Sequence, residues 1–134
     1  MVNTLIEKLE SGHTSIIQEW VGQDRNKLTA KMIIEAYDLG DQLAIEVMHE
    51  TGTLLGFGLA NVINLYNPEV IIVGGGMSVA GDRLLHKVRE TTAQHALKLS
   101  NQACKIQVAQ LGGKAGMIGA ATYAIERYDS NGLI

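Results

Sequence analysis

Apolar residues in the first half of the chain recur every three or four positions, which is the spacing of helices that bury one side. Two capping-box patterns, each a hydroxyl residue followed three positions later by Glu or Gln, predict short helices near residues 4–11 and 15–22. The residues that form these patterns are Thr4 with Glu7 and Ser15 with Gln18. Thr29 predicts the cap of a third helix, which Gly40 would end.

A long helix is predicted from Asp41 to the Asn67-Pro68 pair, because proline restricts the residue before it and does not continue a helix. Three small residues spaced four apart share one side of this helix: Gly52, Gly56 and Ala60. A glycine inside a helix costs about 1 kcal/mol relative to alanine. Glycines at this spacing therefore predict that another backbone approaches this side closely.

The second half of the chain changes to strand-like runs. Val70 to Val73 is a continuous β-branched run, typical of a parallel strand that is covered on both faces. Residues 80–99 return to helical spacing. Lys105 to Leu111 form a second predicted strand, with Ile106 and Val108 on one face and polar side chains on the other.

A glycine turn, Gly112-Gly113, leads to a last predicted helix from about Ala115 to Tyr128. The pattern thus predicts one α/β domain over residues 1–134, helical over about 1–66 and a parallel β-α-β-α unit over about 67–128. Because two strands make a thin sheet, we expect chain outside this sequence or a second copy to complete it. The expected partners are accordingly a homo-oligomer, most simply a dimer, or a missing N-terminal lobe.

The composition narrows the class of protein. A net charge of −3 disfavours broad electrostatic binding to nucleic acid or to anionic membranes. Cys104 is the only cysteine, which excludes an internal disulfide and favours a reducing compartment. The N-terminus lacks the basic segment of a secretory signal, and the longest apolar run, Leu54 to Leu65, is too short to span a bilayer. We expect a soluble cytoplasmic protein.

The first strand ends in three consecutive glycines, Gly74, Gly75 and Gly76, which are followed by Met77 and Ser78. Glycines at the carboxyl end of a parallel strand, with a helix start behind them, are typical of a ligand-binding edge. A tight turn that needs positive φ and holds no ligand explains the same pattern equally well. The spacing matches neither the dinucleotide fingerprint nor the Walker phosphate loop.

Patterns for metal binding and nucleophilic catalysis are weak. Glu46 and His49 form a single Glu-x-x-His unit, whereas di-iron bundles use such units in pairs with further glutamates. Cys104 has no histidine near it in the sequence and is expected to be a small core residue. Lys114 could approach an anion at the start of the last helix, although a solvated loop lysine is the commoner case. We predict no catalytic residue and no metal site in this chain.

Residues 58–81, GLANVINLYNPEVIIVGGGMSVAG, closely resemble the C-terminal part of ROK proteins. That family joins bacterial sugar kinases, such as glucokinase-like enzymes, with sugar-responsive repressors. Residues 27–48 resemble the helical stretch that precedes this motif, and residues 109–124 resemble the family's terminal segment. The resemblance covers about residues 27–128 and implies the actin-like, ribonuclease-H-like fold of a two-lobe ATPase. This chain would be the distal part of the second lobe.

In the kinases of this family, the glycine run lies on the adenosine side of the nucleotide site. The resemblance therefore implies that Gly74, Gly75, Gly76 and Met77 line a pocket for ATP. It also implies that Ser78 starts the helix behind that pocket.

Other motifs of the family's kinases do not occur in this sequence. They are the Asp-x-Gly phosphate loop, the Asn-Asp pair with the general base, the Glu-x-Gly-His sugar motif and the cysteine-rich zinc loop. Residues 113–116, Gly-Lys-Ala-Gly, also depart from the family pattern, which has an acidic residue before Ala-Gly. Because phosphoryl transfer requires metal, phosphates and base to be positioned together, we expect weak ATP binding and no kinase activity from this chain alone.

Three hypotheses follow from the sequence. The leading one is a C-terminal lobe fragment of a ROK-type sugar kinase that keeps the adenosine-side glycines. The second is the C-terminal effector and oligomerisation part of a ROK repressor, since both groups share this region. The third is an oligomerisation module without a ligand.

Overall fold

A computed structural model describes residues 1–22 and 24–130 of the chain, with Gln23 and residues 131–134 outside the description. Helices precede a β-α-β-α unit, as the sequence predicts. The elements are α1 (Val2–Glu10), α2 (Ile17–Val21), α3 (Ala30–Asp38), α4 (Gln42–Tyr66), β1 (Val70–Val73), α5 (Asp82–His95), α6 (Lys98–Ala103), β2 (Lys105–Val108) and α7 (Ala115–Ser130). Short 3₁₀ turns lie at Arg25–Lys27, Gly76–Ala80 and Gly112–Lys114. Among the described residues, no helix combines the length and apolarity that a membrane crossing requires.

Asp41 caps α4, as predicted, and also ties that helix to the loop before α2. One carboxylate oxygen accepts hydrogen bonds from the Ala44 N–H at 2.8 Å and from the Ser15 hydroxyl at 3.1 Å. The other accepts from the Ile16 N–H at 2.9 Å. The side chain therefore joins segments that lie about 25 positions apart in the sequence.

The predicted caps of the shorter helices have different outcomes. The hydroxyl of Thr29 accepts a hydrogen bond from the N–H three residues later at 3.3 Å, which confirms the start of α3. The Ser15 N–H donates to the Gln18 side chain at 3.1 Å, as the capping box predicts. The predicted cap at Thr4 is wrong, since α1 already begins at Val2. Val2 packs against the buried core, so apolar burial extends the helix ahead of the cap signal.

Two clusters of buried apolar side chains hold these elements together. The first joins α1, α2, α3 and the beginning of α4, through Leu5, Leu9, Ile17, Val21, Leu28, Ile33, Ala36, Leu43, Ala44 and Val47. The second joins α3, α4, α5 and the sheet, through Ile34, Met48, Ile63, Ala80, Leu84, Leu85, Val88 and Ile106. Because α4 contributes to both clusters, it is the central element of the chain.

The small residues of α4 lie where α5 crosses it, which confirms the predicted close approach. A Cβ on Gly52 would lie 2.9 Å from the Cβ of Lys87. A Cβ on Gly56 would lie 2.6 Å from the Cβ of Thr91 and 3.0 Å from the carbonyl oxygen of Val88. Both distances to Cβ atoms are shorter than packed side chains allow, so the two helices can approach this closely only because glycine occupies these positions.

The two strands pair in parallel, and α5 covers one face of the sheet they form. The register is Val70 with Lys105, Ile71 with Ile106, Ile72 with Gln107 and Val73 with Val108. Ile106 and Val108 face the second cluster while the polar side chains of β2 face outward, as predicted. The prediction that β1 is covered on both faces is wrong for the described chain. Val70 and Ile72 are 46% and 66% exposed, because α5 packs on the opposite face only.

The helix predicted over residues 80–99 is instead two helices, α5 and α6. The backbone of Ala96 is extended, with φ −85° and ψ 156°, and this conformation ends α5. The next N–H, that of Leu97, donates at 2.7 Å to the side chain of Asn64 on α4. A contact that is distant in sequence therefore interrupts a helical pattern that is continuous in the sequence.

The last helix, α7, agrees with the prediction in position and lies apart from both clusters. Every described side chain from Gly116 to Tyr128 is exposed. The packing that normally stabilises a short helix in water is therefore not provided by the described part of this chain.

The close crossing of α4 and α5 gives a matched pair of glycine variants. Gly56→Ala should lower the free energy of unfolding by about 1–3 kcal/mol, because the new methyl group overlaps Thr91 and the backbone of α5. Gly58→Ala should raise it by about 0.5–1 kcal/mol, since no described atom lies within 4 Å of that position. Chemical denaturation measures both values. Equal or greater stability of the Gly56 variant would contradict the crossing.

The three hydrogen bonds of Asp41 give a second prediction. Asp41→Ala should cost about 1–3 kcal/mol of unfolding free energy, because it removes a helix cap and leaves the Ile16 N–H without its partner. Thr29→Ala removes one local cap bond and should cost only about 0.5–1 kcal/mol. Thermal unfolding, monitored by circular dichroism, ranks the stabilities of the two variants. The reverse order would show that the long-range bonds of Asp41 contribute little.

Candidate functional site

The glycine run leaves β1 at the same edge at which β2 ends. The Ala109 N–H, just after β2, donates to the carbonyl oxygen of Val73 at 2.8 Å. A Cβ on Gly74 would lie 3.5 Å from the Cβ of Ala109. The 3₁₀ turns at Gly76–Ala80 and Gly112–Lys114 contact each other beyond the strand ends. Two loops therefore meet at the carboxyl edge of the sheet, which is where open α/β sheets bind ligands.

The structural environment differs at each of the three consecutive glycines. Gly75 adopts φ +77° and ψ −166°, a conformation that only glycine adopts readily. A Cβ on Gly74 would make only an ordinary contact with Ala109. Gly76 has no positive φ, and no described atom lies within 4 Å of the position of its missing Cβ. The turn geometry thus accounts for Gly75, while Gly76 leaves open space at the edge.

Ser78 closes the turn that follows the glycines. Its hydroxyl donates to the carbonyl oxygen of Gly75 at 2.6 Å, and its N–H donates to the same oxygen at 3.1 Å. The prediction that Ser78 starts the next helix is therefore wrong. The side chain stabilises a 3₁₀ turn instead, and α5 begins only at Asp82, after Gly81 with φ +57°. The amino end of α5 is thus separated from the glycines by one full turn.

Met77 belongs to the predicted pocket and also packs against the core. Its side chain is half-buried and packs against the second core cluster. This anchor fixes the backbone immediately after Gly76. The assignment of Gly74, Gly75, Gly76 and Met77 to a nucleotide pocket stays a prediction.

The Glu-x-x-His unit on α4 is engaged in a surface ion pair. Glu46 and Glu50 accept hydrogen bonds from the ammonium group of Lys8 at 2.7 and 2.8 Å. The bond from Lys8 holds the pKa of Glu46 below its usual range, and the bonds to both carboxylates raise the pKa of Lys8. The rings of His49 and Tyr37 meet in a T-shaped arrangement, at 6.5 Å between centroids. The unit therefore ties α1 to α4.

The described residues outside the Glu46–His49 unit give little support for metal binding or thiol chemistry. Within residues 1–22 and 24–130, no group of three His, Cys, Asp or Glu side chains is arranged to hold an ion. Cys104 is half-buried beside the second cluster, and its burial raises the pKa of the thiol. A thiol with a raised pKa is a poor nucleophile at neutral pH. Lys114 is exposed on the turn that faces the glycine run, and its contact with an anion stays a prediction.

The loop after β2 is the part of this edge that the glycine pattern alone does not identify. Residues 109–112 follow β2 and place Ala109 beside Gly74. The sequence does contain a signal for this contact, namely the predicted parallel pairing of β1 and β2. Parallel strands end at the same edge of a sheet, so the loops that follow them become neighbours. The edge as a whole combines the glycine run and Ala109 with the larger side chains of Met77, Leu111 and Lys114. It brings together no described pair of side chains suited to acid–base chemistry.

The order of elements defines the chain as a mostly helical α/β protein with a two-stranded parallel sheet. A family model described as ROK family matches residues 5–127, so the chain belongs to the ROK family. This confirms the resemblance found in the sequence.

Relatives of both functional groups in this family are similar to the chain. The glucokinase of Halalkalibacterium halodurans is 40% identical over 92 residues, which are 69% of this chain and 28% of the relative. The xylose repressor of Caldicellulosiruptor bescii is 30% identical over 100 residues, which are 75% of this chain and 25% of the relative. The chain is thus related to glucokinases and to ROK repressors alike.

A solved structure supports the fold. The ROK family glucokinase from Streptomyces griseus, in complex with glucose and AMPPNP, matches with a TM-score of 0.72 and 32% identity. The match covers 81% of this chain and 35% of the glucokinase. The chain therefore has the architecture of part of an actin-like ATPase fold and spans about a third of the length of that relative.

The different roles of the glycines predict different costs of substitution. Gly75→Ala should lower the free energy of unfolding by about 1 kcal/mol or more, because alanine is strained at φ +77°. Gly76→Ala should change it by less than about 0.5 kcal/mol, since the added methyl group enters open space. Urea denaturation of both variants tests the distinction. A large loss for the Gly76 variant would show that the fold itself requires that glycine.

Proposed function

We propose that this chain is the distal part of the second, ribonuclease-H-like lobe of a ROK-type sugar kinase and forms the adenosine side of its nucleotide site. The observation that carries the proposal is the open space at Gly76. This position has neither a positive φ nor a neighbouring atom that would exclude a side chain. Glycine there has a clear use if a ligand approaches the backbone closely.

The position of the glycine run and the known relatives support this proposal. The run lies at the carboxyl edge of a parallel sheet, beside the loop that follows the neighbouring strand. The matching glucokinase structure from Streptomyces griseus contains AMPPNP, an adenine nucleotide. We assign the nucleotide contacts to Gly74, Gly75, Gly76 and Met77, with the Gly76 backbone at the closest approach.

The proposed role of this chain is binding without catalysis. Phosphoryl transfer needs a base, a metal and a phosphate cradle placed together, and the sequence carries none of the motifs that supply them in the family's kinases. An adenosine held on one side only would bind weakly. The remaining walls of the site would come from an N-terminal lobe or from a partner chain, and the proposed location is the cytoplasm.

A second candidate is the C-terminal effector part of a ROK repressor. The observation that favours it is the departure at residues 113–116, where Gly-Lys precedes Ala-Gly and the kinases carry an acidic residue. The similarity to the xylose repressor of Caldicellulosiruptor bescii is in keeping with this candidate. The third candidate, an oligomerisation module without a ligand, predicts no response to nucleotide.

Adenosine should stabilise the purified chain, whereas inorganic tripolyphosphate should have a much smaller effect, because the proposed contacts are to the nucleoside. A ligand at ten times its dissociation constant adds about 1.4 kcal/mol to the free energy of unfolding, enough to raise the thermal midpoint by a few degrees. Gly76→Val should abolish this rise without lowering the midpoint of the free protein. Differential scanning calorimetry over millimolar adenosine measures both quantities.

Gly119→Val is the matched control, because Gly119 also borders open space but lies on α7, away from the glycine run. It should keep the full response to adenosine. A response that survives in the Gly76 variant would place the ligand elsewhere, and no response in the unmodified chain would favour the module without a ligand. A coupled assay with ATP and glucose should show no turnover, and turnover would overturn the proposed loss of catalysis.

A further inference from the structure

The carbonyl oxygen of Gly75 accepts two hydrogen bonds from the same residue. The Ser78 hydroxyl donates to it at 2.6 Å, and the Ser78 N–H donates to it at 3.1 Å. The N–H alone closes a turn of the 3₁₀ type, so the hydroxyl is an additional donor to that oxygen. Ser78 is 8% exposed, and a hydroxyl this buried depends on an acceptor within the protein.

The N–H of Gly76 belongs to the same peptide group as this carbonyl. The described peptide bonds are all trans, and the C=O and N–H of a planar trans peptide point in opposite directions. Because the carbonyl is held toward Ser78, the N–H is directed to the opposite side of the chain. In the described part of the chain, no acceptor outside its own turn bonds to this N–H. The missing Cβ of Gly76 also borders open space.

The peptide group lies between two glycines, which makes its orientation easy to change. Rotation of the peptide plane alters ψ of Gly75 and φ of Gly76 and leaves the rest of the chain in place. Neither residue has a Cβ that would restrict these angles. Gly75 already occupies a sparsely populated region, with φ +77° and ψ −166°, and such a conformation persists only where neighbouring groups hold it.

The turn that carries Ser78 is anchored to the core. Met77 packs against the second cluster, and the fully buried Ala80 belongs to it. The carbonyl oxygen of Ser78 accepts a hydrogen bond from the Gly81 N–H at 3.0 Å. The hydroxyl of Ser78 therefore ties a peptide that could rotate to a segment that the core holds in place.

We propose that Ser78 is a positioning residue of the nucleotide site. Its hydroxyl holds the Gly75–Gly76 peptide in the orientation that presents the Gly76 N–H to an acceptor atom of bound adenosine. Adenosine offers such acceptors in its ring nitrogens and its ribose hydroxyl groups. This role rests on the proposed function, because it identifies what holds the backbone at the point of closest approach. Ser78 acts through this peptide and does not contact the ligand itself.

The first test is the dissociation constant of adenosine for the whole chain and its variants, measured by titration followed in amide NMR spectra. Ser78→Ala should weaken binding about three- to tenfold, the factor that one net hydrogen bond contributes. Ser78→Thr keeps the hydroxyl and should bind within about twofold of the unmodified chain. Ser78→Cys, whose thiol is only a weak donor, should fall between the alanine and threonine variants, and it replaces the alanine variant if that chain does not fold.

Thr51→Val is the matched control, because it also removes a hydroxyl that donates to a nearby carbonyl oxygen. The bond it removes joins Thr51 to Val47 at 2.8 Å on α4, not at the edge of the sheet. Adenosine affinity should be unchanged in this variant. Urea denaturation of all the variants then separates a change in affinity from a change in stability.

The second test is the NMR signal of the Gly76 amide. Its proton should shift downfield as adenosine is added, because the N–H gains an acceptor. Without nucleotide, relaxation dispersion, which detects motion between microseconds and milliseconds, should show exchange at Gly76 in Ser78→Ala. The same exchange should be absent from the unmodified chain and from Ser78→Thr. A hydroxyl that only satisfied its own bonding capacity would leave this signal unaffected.

Three results would overturn this role of Ser78 and leave the proposed function standing. The first is a Ser78→Ala chain that binds adenosine as tightly as the unmodified one. The second is an equal loss of affinity in Ser78→Ala and Ser78→Thr, since the hydroxyl would then not be the cause. The third is a Gly76 amide that neither shifts with adenosine nor exchanges in Ser78→Ala. A lack of any response to adenosine in the unmodified chain would overturn both proposals together.

Discussion

The close crossing of α4 and α5 is the contact on which the rest of the chain depends. Gly52 and Gly56 let the backbone of α5 approach to a distance that a methyl group would prevent. The buried hydroxyl of Thr92 lies in this crossing and donates at 2.7 Å to the carbonyl oxygen of Val88. Since α5 connects the two strands, its position on α4 also sets where the sheet lies. The guanidinium of Arg89 then joins α5 to β2 by donating at 3.0 Å to the carbonyl oxygen of Ile106.

Features with a local physical cause could be predicted from the sequence. Thr29 and Asp41 cap helices because their side-chain oxygens accept hydrogen bonds from N–H groups three residues on. The alternation in β2 identified Ile106 as inward, because successive side chains of a strand face opposite sides. The glycine spacing in α4 predicted a close approach, although α5 as the approaching helix is visible only in the structure.

Features that depend on distant contacts could not be predicted in this way. The end of α5 depends on a bond from Leu97 to Asn64, which no window of sequence around Leu97 contains. The continuous apolar run in β1 predicted two covered faces, yet Ile72 is 66% exposed. An apolar sequence shows that a strand face is apolar, but it does not show which element covers that face. For the candidate site, the sequence located the glycine run correctly at a strand end. It could not separate Gly75, which the turn requires, from Gly76, which the turn does not.

The candidate site and α7 share one segment, the 3₁₀ turn at Gly112–Lys114. This turn contacts the one that follows the glycines and also begins the link to α7. Small-molecule sites normally bury most of their ligand, whereas the carboxyl edge described here provides one wall. Any partner that fixes α7 would also fix this turn, and with it the open side of the glycine run. The position of the Gly112–Lys114 turn therefore bears both on the open side of the glycine run and on where α7 begins.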